Sequence, residues 1–278
     1  MLLTPDWPAP AHVRSGFTTR SGGVSQAPFD SLNLGDHVRD EPADVLQNRQ
    51  RLQASIGARP VFLQQVHGVA VCSLDAQTRD GTVADACLTA RRGVACTIMV
   101  ADCLPLLFTD RTGSFVAAAH AGWRGLVGQG GVGVIEAIYA SIFASLGPLA
   151  QWNIAGAAPK IEASDILVWL GPCIGPAQFE VGGEVKAAFD VAQAGAAKHF
   201  QQIPPAAASA QGGPDKYVAN LAALARDRLQ ALGITHIYGN DGSSPWCTVA
   251  NPSQFFSHRR DAVRLGSTGR MAACVWLD

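Results

Sequence analysis

The run Gly93 to Val100, GVACTIMV, is apolar and partly β-branched, the pattern of a strand covered on both faces. A chain carrying such a strand has to fold into layers that enclose it. The run leads straight into Asp102 and Cys103, and Pro105 then discourages a continuing helix. Leu106 to Phe108 and Phe115 to Ala119 read as two short strands joined by TDRTG, a hairpin-like connection. The second ends at His120, and a glycine-bounded turn with Trp123 and Arg124 follows. Strands that finish on soft or borderline metal ligands can gather those ligands at one edge of a sheet, so Met99 to Leu126 is read as the active-site stretch.

The remaining elements are of both types. Apolar positions Val45, Leu46, Leu52 and Ile56 predict a surface helix from Pro42 to Gly57, with the glycine as its stop. Val61 to Val66 reads as a strand that delivers Gln64, Gln65 and His67 to its end. Val132 to Ile142 predicts a buried helix ending near Gly147, Ile166 to Leu170 a strand, and GPCIGP (171–176) a rigid turn. Glu180 to Val191 predicts another helix. Lys216 to Leu232, with Leu221, Leu224, Ala225, Leu229 and Leu232 on one face, gives the clearest helical pattern. Ile234 to Tyr238, Gln254 to Ser257 and Met271 to Trp276 read as strands. The Ala/Pro/Gly-rich segments 148–164 and 195–214 read as loops. No internal repeat or domain linker interrupts the alternation, so residues 1–278 are taken as a single α+β domain.

Composition narrows the function classes. With 48% apolar and only 15% charged residues, a chain of 278 residues can bury a core without disulfides or a structural metal. A formal charge of −1 and the lack of a basic run argue against a nucleic-acid partner. The opening MLLTPDWPAP carries no basic signal region, and no apolar stretch approaches the roughly 18 residues of a membrane span. The expectation is a cytoplasmic protein with no membrane association and no obligate protein partner. The 7 cysteines include no CxxC pair, so any metal site has to be assembled from distant positions.

His67, Cys103 and His120 each follow an apolar strand-like run. Three protein ligands of this class leave a tetrahedral zinc ion one open position, the arrangement of a catalytic site. Asp85 or Asp102 could then orient a water or move its proton. On residue types alone a strand-end histidine is more often a satisfied polar residue than a ligand. A second chemistry makes Cys103 a thiolate nucleophile with His120 as its base and needs no metal. The turn GFTTRSGGVS (16–25), with Arg20 and Ser25, is suited to holding an anion, although an ordinary connecting loop has the same composition. Arg124, Arg259 and Arg260 are further phosphate candidates, each with a solvated ion pair as the more common explanation. His258 has no identified partner.

The segments RSGGVSQAPFDSLNLGDHV, QQVHG, DACLT, VADCLPLLF, AAAHAGWRGL, GPCIGPAQFEVGGEV, DKYVANL and FFSHRRD with TGRMAACVWL span nearly the whole chain. In these it resembles the bacterial laccase-domain family, the YfiH-type proteins described as polyphenol oxidases, purine nucleoside phosphorylases and peptidoglycan editing factors. The resemblance implies two packed mixed β-sheets with helices outside. It puts the metal ligands on His67, Cys103 and His120, with zinc as the cofactor and copper as an alternative. It also implies phosphorolysis of adenosine, inosine and methylthioadenosine and deamination of adenosine, with a purine nucleoside and phosphate as the small-molecule partners. Catalytic expectations fall on Asp85, Asp102, Cys103 and His120, and phosphate-binding ones on Arg20, Ser25, Arg124 and Arg259. An amidase editing peptidoglycan precursors and a nonenzymatic binding module are the competing readings. The chain departs from its relatives at His258, where tyrosine is common, in AVRLGS (262–267), and in longer segments near 148–164 and 204–213.

Overall fold

A strand buried on both faces needs a packing layer on each side, and the alternation of side chains along such a strand shows what each layer is. The computed structural model describes residues 2–149, 161–204 and 215–278. In chain order its strands and helices begin with β1 (Leu2–Leu3), β2 (Val13–Thr18), α1 (Pro42–Ile56), β3 (Arg59–Phe62), β4 (Val71–Ser73) and β5 (Ala86–Thr89). There follow β6 (Val94–Val100), β7 (Leu104–Asp110), β8 (Val116–Ala121), α2 (Trp123–Val127), α3 (Val134–Leu149) and β9 (Ile166–Leu170). The last third contains β10 (Glu180–Gly182), α4 (Gly183–Ala192), β11 (Phe200–Gln202), β12 (Lys216–Ala219) and α5 (Leu221–Ala231). It closes with β13 (His236–Gly239), α6 (His258–Leu265) and β14 (Met271–Leu277).

Two mixed sheets dominate, one ordered β1-β2-β14-β6-β3 and the other β13-β9-β7-β8-β5-β4. Along β6, Val94, Cys96, Ile98 and Val100 enter the layer between the sheets, where Leu107 of β7 and Val116 and Ala118 of β8 meet them. The intervening Ala95 and Met99 face the other way and pack with Leu52 and Ile56 of α1. On the far side of the second sheet, Leu104, Leu106 and Phe108 of β7 pack with Ile135 and Ile138 of α3 and Leu224 and Leu229 of α5. The result is helix, sheet, sheet, helix, the α+β class read from the residues in the arrangement of two packed mixed sheets that the family resemblance implied. The period of 2 along each central strand explains why the runs there are mostly apolar.

Four local readings are corrected. Lys216 to Leu232 is not one helix, since Lys216–Ala219 is strand β12, paired with both β10 and β11 in a third, three-stranded sheet. The helix begins at Leu221 because the Asn220 side chain accepts the N–H of Ala223 and caps it. In the same way Glu180–Gly182 is strand β10 before the helix α4, drawn into the same small sheet. The segment 195–214 is not all loop, because a 3-10 turn at Ala196–His199 leads into β11. Gln254 to Ser257 forms no strand, and Ser257 instead caps α6 by accepting the N–H of Arg260. Most of the loop expected at 148–164, and all but Pro204 of the segment 204–213, lie outside the described residues.

Candidate functional site

Alternation along β8 sends Val116 and Ala118 into the layer between the sheets, so His120, two residues on, points the same way. Cys103 lies in the short connection from β6 to β7, which are strands of different sheets. It is therefore delivered not by a sheet edge but by the joint between the sheets. His67 arrives from the turn after β3, where the Gln65 side chain exchanges two hydrogen bonds of 2.8 Å with the backbone of Met99 and ties that turn to the end of β6. The three potential ligand atoms lie within 4.8 Å of one another. Cys103 Sγ is 3.6 Å from His67 Nε2, and the two imidazole rings meet edge to face with centroids 4.7 Å apart.

Asp85 organises two of the three. One of its carboxylate oxygens lies 2.8 Å from Nδ1 of His120, which fixes that ring with Nε2 turned away from the carboxylate. The carboxylate also accepts the backbone N–H groups of Val66, His67 and Gly68 at 3.1, 2.9 and 2.7 Å. These bonds hold His67 in the left-handed region at φ 62°, a conformation that is costly without such support. Burial opposes the charge on Asp85, but the His120 hydrogen bond and the backbone donors outweigh it and hold the carboxyl below its ordinary range.

Asp102 is the second left-handed residue of the site, at φ 93°. Its carboxylate accepts the hydroxyls of Thr248 at 2.5 Å and Ser257 at 3.0 Å and the backbone N–H of Arg259 at 2.6 Å. Those bonds clamp the Cys103 turn against the first turn of α6. Both oxygens are engaged, so the geometry favours a positioning part for Asp102 over the movement of a proton.

The thiol and imidazole act on each other. Burial works against a thiolate at Cys103, but the charge on His120 and hydrogen bonds from both imidazoles prevail and bring the thiol down to about 6. Burial likewise opposes a charged His120, which the nearby thiolate and Asp85 overcome, raising it to about 9. The other shifted thiols go up, chiefly through burial, among them Cys72, Cys96, Cys173 and Cys274. Gly122 makes the approach possible, since a Cβ there would stand 2.6 Å from Cδ2 of His67 and 3.1 Å from Sγ of Cys103.

The cluster opens into a cavity of about 340 Å³. Trp123, Ile174, Phe179 and Leu221 give it apolar lining, and Arg124, Arg259, Arg270, His37 and His258 give it basic lining. Of the expected phosphate contacts, Arg124 and Arg259 line the cavity, whereas Arg20 and Ser25 do not. Arg20 lines a separate surface pocket and bonds Asp30 and the carbonyl of Pro252. Ser25 is buried, and its hydroxyl accepts a hydrogen bond from Asn48 of α1. Arg260 is turned to Asp261 and to the carbonyls of Thr248, Val249 and Phe255. Sequence reasoning placed Gln65 at its strand end without giving it a part in the site, and missed His37 and Arg270. The sequence signal for Arg270 is its place immediately before a fully buried strand, where a charged side chain marks the strand mouth.

Comparison with known proteins identifies the family and the fold. A family model described as multi-copper polyphenol oxidoreductase laccase matches residues 14–278. A purine nucleoside phosphorylase of Pseudomonas aeruginosa is 48% identical over 276 residues, covering 99% of this chain and 98% of that protein. Purine nucleoside phosphorylase YfiH of Escherichia coli is 44% identical over 278 residues, with 99% and 98% covered. The crystal structure of a Neisseria meningitidis protein superposes with a TM-score of 0.82 at 40% identity, covering 100% of this chain and 99% of that one. That of YlmD from Geobacillus stearothermophilus gives 0.70 at 31%, covering 96% and 92%.

Proposed function

Because the chain belongs to the multi-copper polyphenol oxidoreductase laccase family, we propose that residues 1–278 form one enzyme domain, a zinc-dependent purine nucleoside phosphorylase. Relatives at 44–48% identity carry that name. The observation that carries the reading is the convergence of His67, Cys103 and His120 in the wall of a cavity that has both apolar and basic lining. Two imidazoles and a low-pKa thiol suit a borderline metal, and the Asp85–His120 bond supplies the carboxylate–histidine support that such sites use. When bound, zinc would supply Lewis acidity and an activated water, and copper is the alternative ion.

Substrates in this reading are adenosine, inosine and methylthioadenosine. The apolar lining at Trp123, Ile174 and Phe179 is suited to a purine face, and the basic lining to phosphate. In phosphorolysis a phosphate oxygen bonds C1′ as the C1′–N9 bond breaks. The electron pair leaves with the purine, which takes up a proton, giving the free base and ribose 1-phosphate. The chain's part is to hold both reactants in line and to place positive charge beside the incoming anion. Adenosine deamination is proposed as a second activity of the same cavity. Copper oxidase chemistry of the laccase type is disfavoured by the residues, because it needs an additional histidine-lined cluster. The 7 histidines include no His-X-His pair, and the described residues hold one such cluster.

One observation favours a second reading, an amidase acting on misincorporated peptidoglycan precursors. The Cys103 thiol, drawn down to about 6 beside two imidazoles, has the setting of a nucleophile. Turnover of adenosine with and without phosphate separates the two. The expected products are adenine and ribose 1-phosphate with phosphate present, with inosine marking deamination. Cys103→Ala should lose near-stoichiometric zinc by elemental analysis and lose turnover. Full zinc in that variant would refute the ligand assignment. Cleavage of a muramoyl amide by metal-free protein would favour the amidase, provided that iodoacetamide blocks it with half-maximal reactivity near pH 6, where the thiolate forms.

A further inference from the structure

Arg270 is a guanidinium in the cavity that the described residues leave partly unused. It stands at the mouth of β14, one step beyond the Met271–Val100 pair, and so lies beside the Ala101–Asp102–Cys103 turn. Only its Nη1 is engaged, donating to the carbonyls of Thr268 and Gly269 at 2.9 and 3.2 Å. Its Nε and Nη2 have no partner among the described residues, and no carboxylate there forms an ion pair with it. The nearby Asp102 is already satisfied by Thr248, Ser257 and the Arg259 N–H.

Of the other cavity arginines, one is committed to carbonyls and one is exposed to solvent. Arg259 places both Nη groups on the carbonyls of Gln178 and Glu180. The start of α6 is not free for an anion either, because the carboxylate of Asp102 sits on the Arg259 N–H. Arg124 is exposed and lies over the Trp123 ring at 4.4 Å.

Arg270 is also preorganised. Its backbone N–H donates to Oδ1 of the buried Asn33 at 2.8 Å, and its carbonyl accepts the N–H of Leu34 at 3.1 Å. A Cβ on Gly35 would come within 2.7 Å of its Cγ, so a bare backbone at Gly35 is what lets the loop lie against the arginine stem. The SLNLGDHV loop thus acquires a purpose, the immobilisation of one side chain. It also brings His37 to the same cavity. Burial works against the charge on Arg270, a cost that an arriving anion would offset.

We infer that Arg270, held by the Asn33–Gly35 loop and flanked by His37, is the principal contact for the phosphate co-substrate. A guanidinium with two unused N–H edges is matched to a phosphate oxygen pair. The inference rests on the phosphorylase reading for its substrate, but inorganic phosphate binding can be measured apart from turnover.

The test compares wild type, Arg270→Gln and Arg270→Lys by phosphorolysis of adenosine at varied phosphate, with calorimetric titration of inorganic phosphate alongside. Arg270→Gln should raise the KM for phosphate at least tenfold, and Arg270→Lys by less. The KM for adenosine and the zinc content should stay within twofold of wild type. Gly35→Ala, which pushes on the arginine stem and on His37 while removing no cavity charge, should move the phosphate KM in the same direction and guards against a misfolded Arg270→Gln. A phosphate KM unchanged in all three variants overturns the subsite and leaves the phosphorylase reading intact. Calorimetric phosphate binding that vanishes in Arg270→Gln, in a protein that releases no ribose 1-phosphate, supports the subsite and overturns the phosphorylase reading.

Discussion

Asp85 has no exposure, carries charge, and makes four bonds to two separate parts of the site. An amide in its place keeps one acceptor oxygen but points an NH2 group at backbone N–H donors. Asp85→Asn should therefore weaken zinc binding by about 10–100-fold, the usual cost of losing a ligand's hydrogen-bonding partner. Competition titration with a zinc chelator measures this, and an unchanged affinity would remove Asp85 from the support of the metal. The sign of its pH effect follows from its lowered pKa. The stabilisation is fully present above the ordinary carboxylate value of about 3.9 and is lost as the pH falls through the lower folded value. Acid should thus dismantle the His67 turn, which hangs from that carboxylate by three N–H bonds.

At the scale of elements, the caps set boundaries that periodicity could not. Asn220→Ala should cost about 1 kcal/mol in urea unfolding through loss of its bond to the Ala223 N–H. A change below about 0.3 kcal/mol would show that α5 is held by packing alone. The helical spacing of Leu221, Leu224, Ala225 and Leu229 was visible in the sequence because it is internal to one segment. Lys216–Ala219 was not, since a strand of 4 residues is too short to show a period and is defined by partners at Glu180–Gly182 and Phe200–Gln202. The strands β6, β7, β8, β9 and β14 were legible for the opposite reason. Each is central, covered on both sides, and announces itself as a mostly apolar run. The proposed ligands His67, Cys103 and His120 were findable because they end such runs or the turns beside them. Arg270 was only half legible: its place before β14 marks a strand mouth, but the edge that the described residues leave unbonded is encoded by no local pattern.

For the molecule as a whole, the layer between the two sheets is the structure on which the site depends. Leu107 lies fully inside that layer, and Leu107→Ala should cost about 2–5 kcal/mol by leaving a cavity there. Denaturant titration of the metal-free protein gives the value, and a cost under about 1 kcal/mol would mean that the sheets close readily over the gap. Cys103 stands on the connection where the chain leaves one sheet for the other, while His120 rides on a strand of the second sheet and His67 is strapped to the end of β6 in the first. An ion gripped by all three would act as a rivet through two plates. Its affinity would then be a gauge of whether the plates are in register, since a slip of one pleat turns His120 to the opposite face and pulls the rivet.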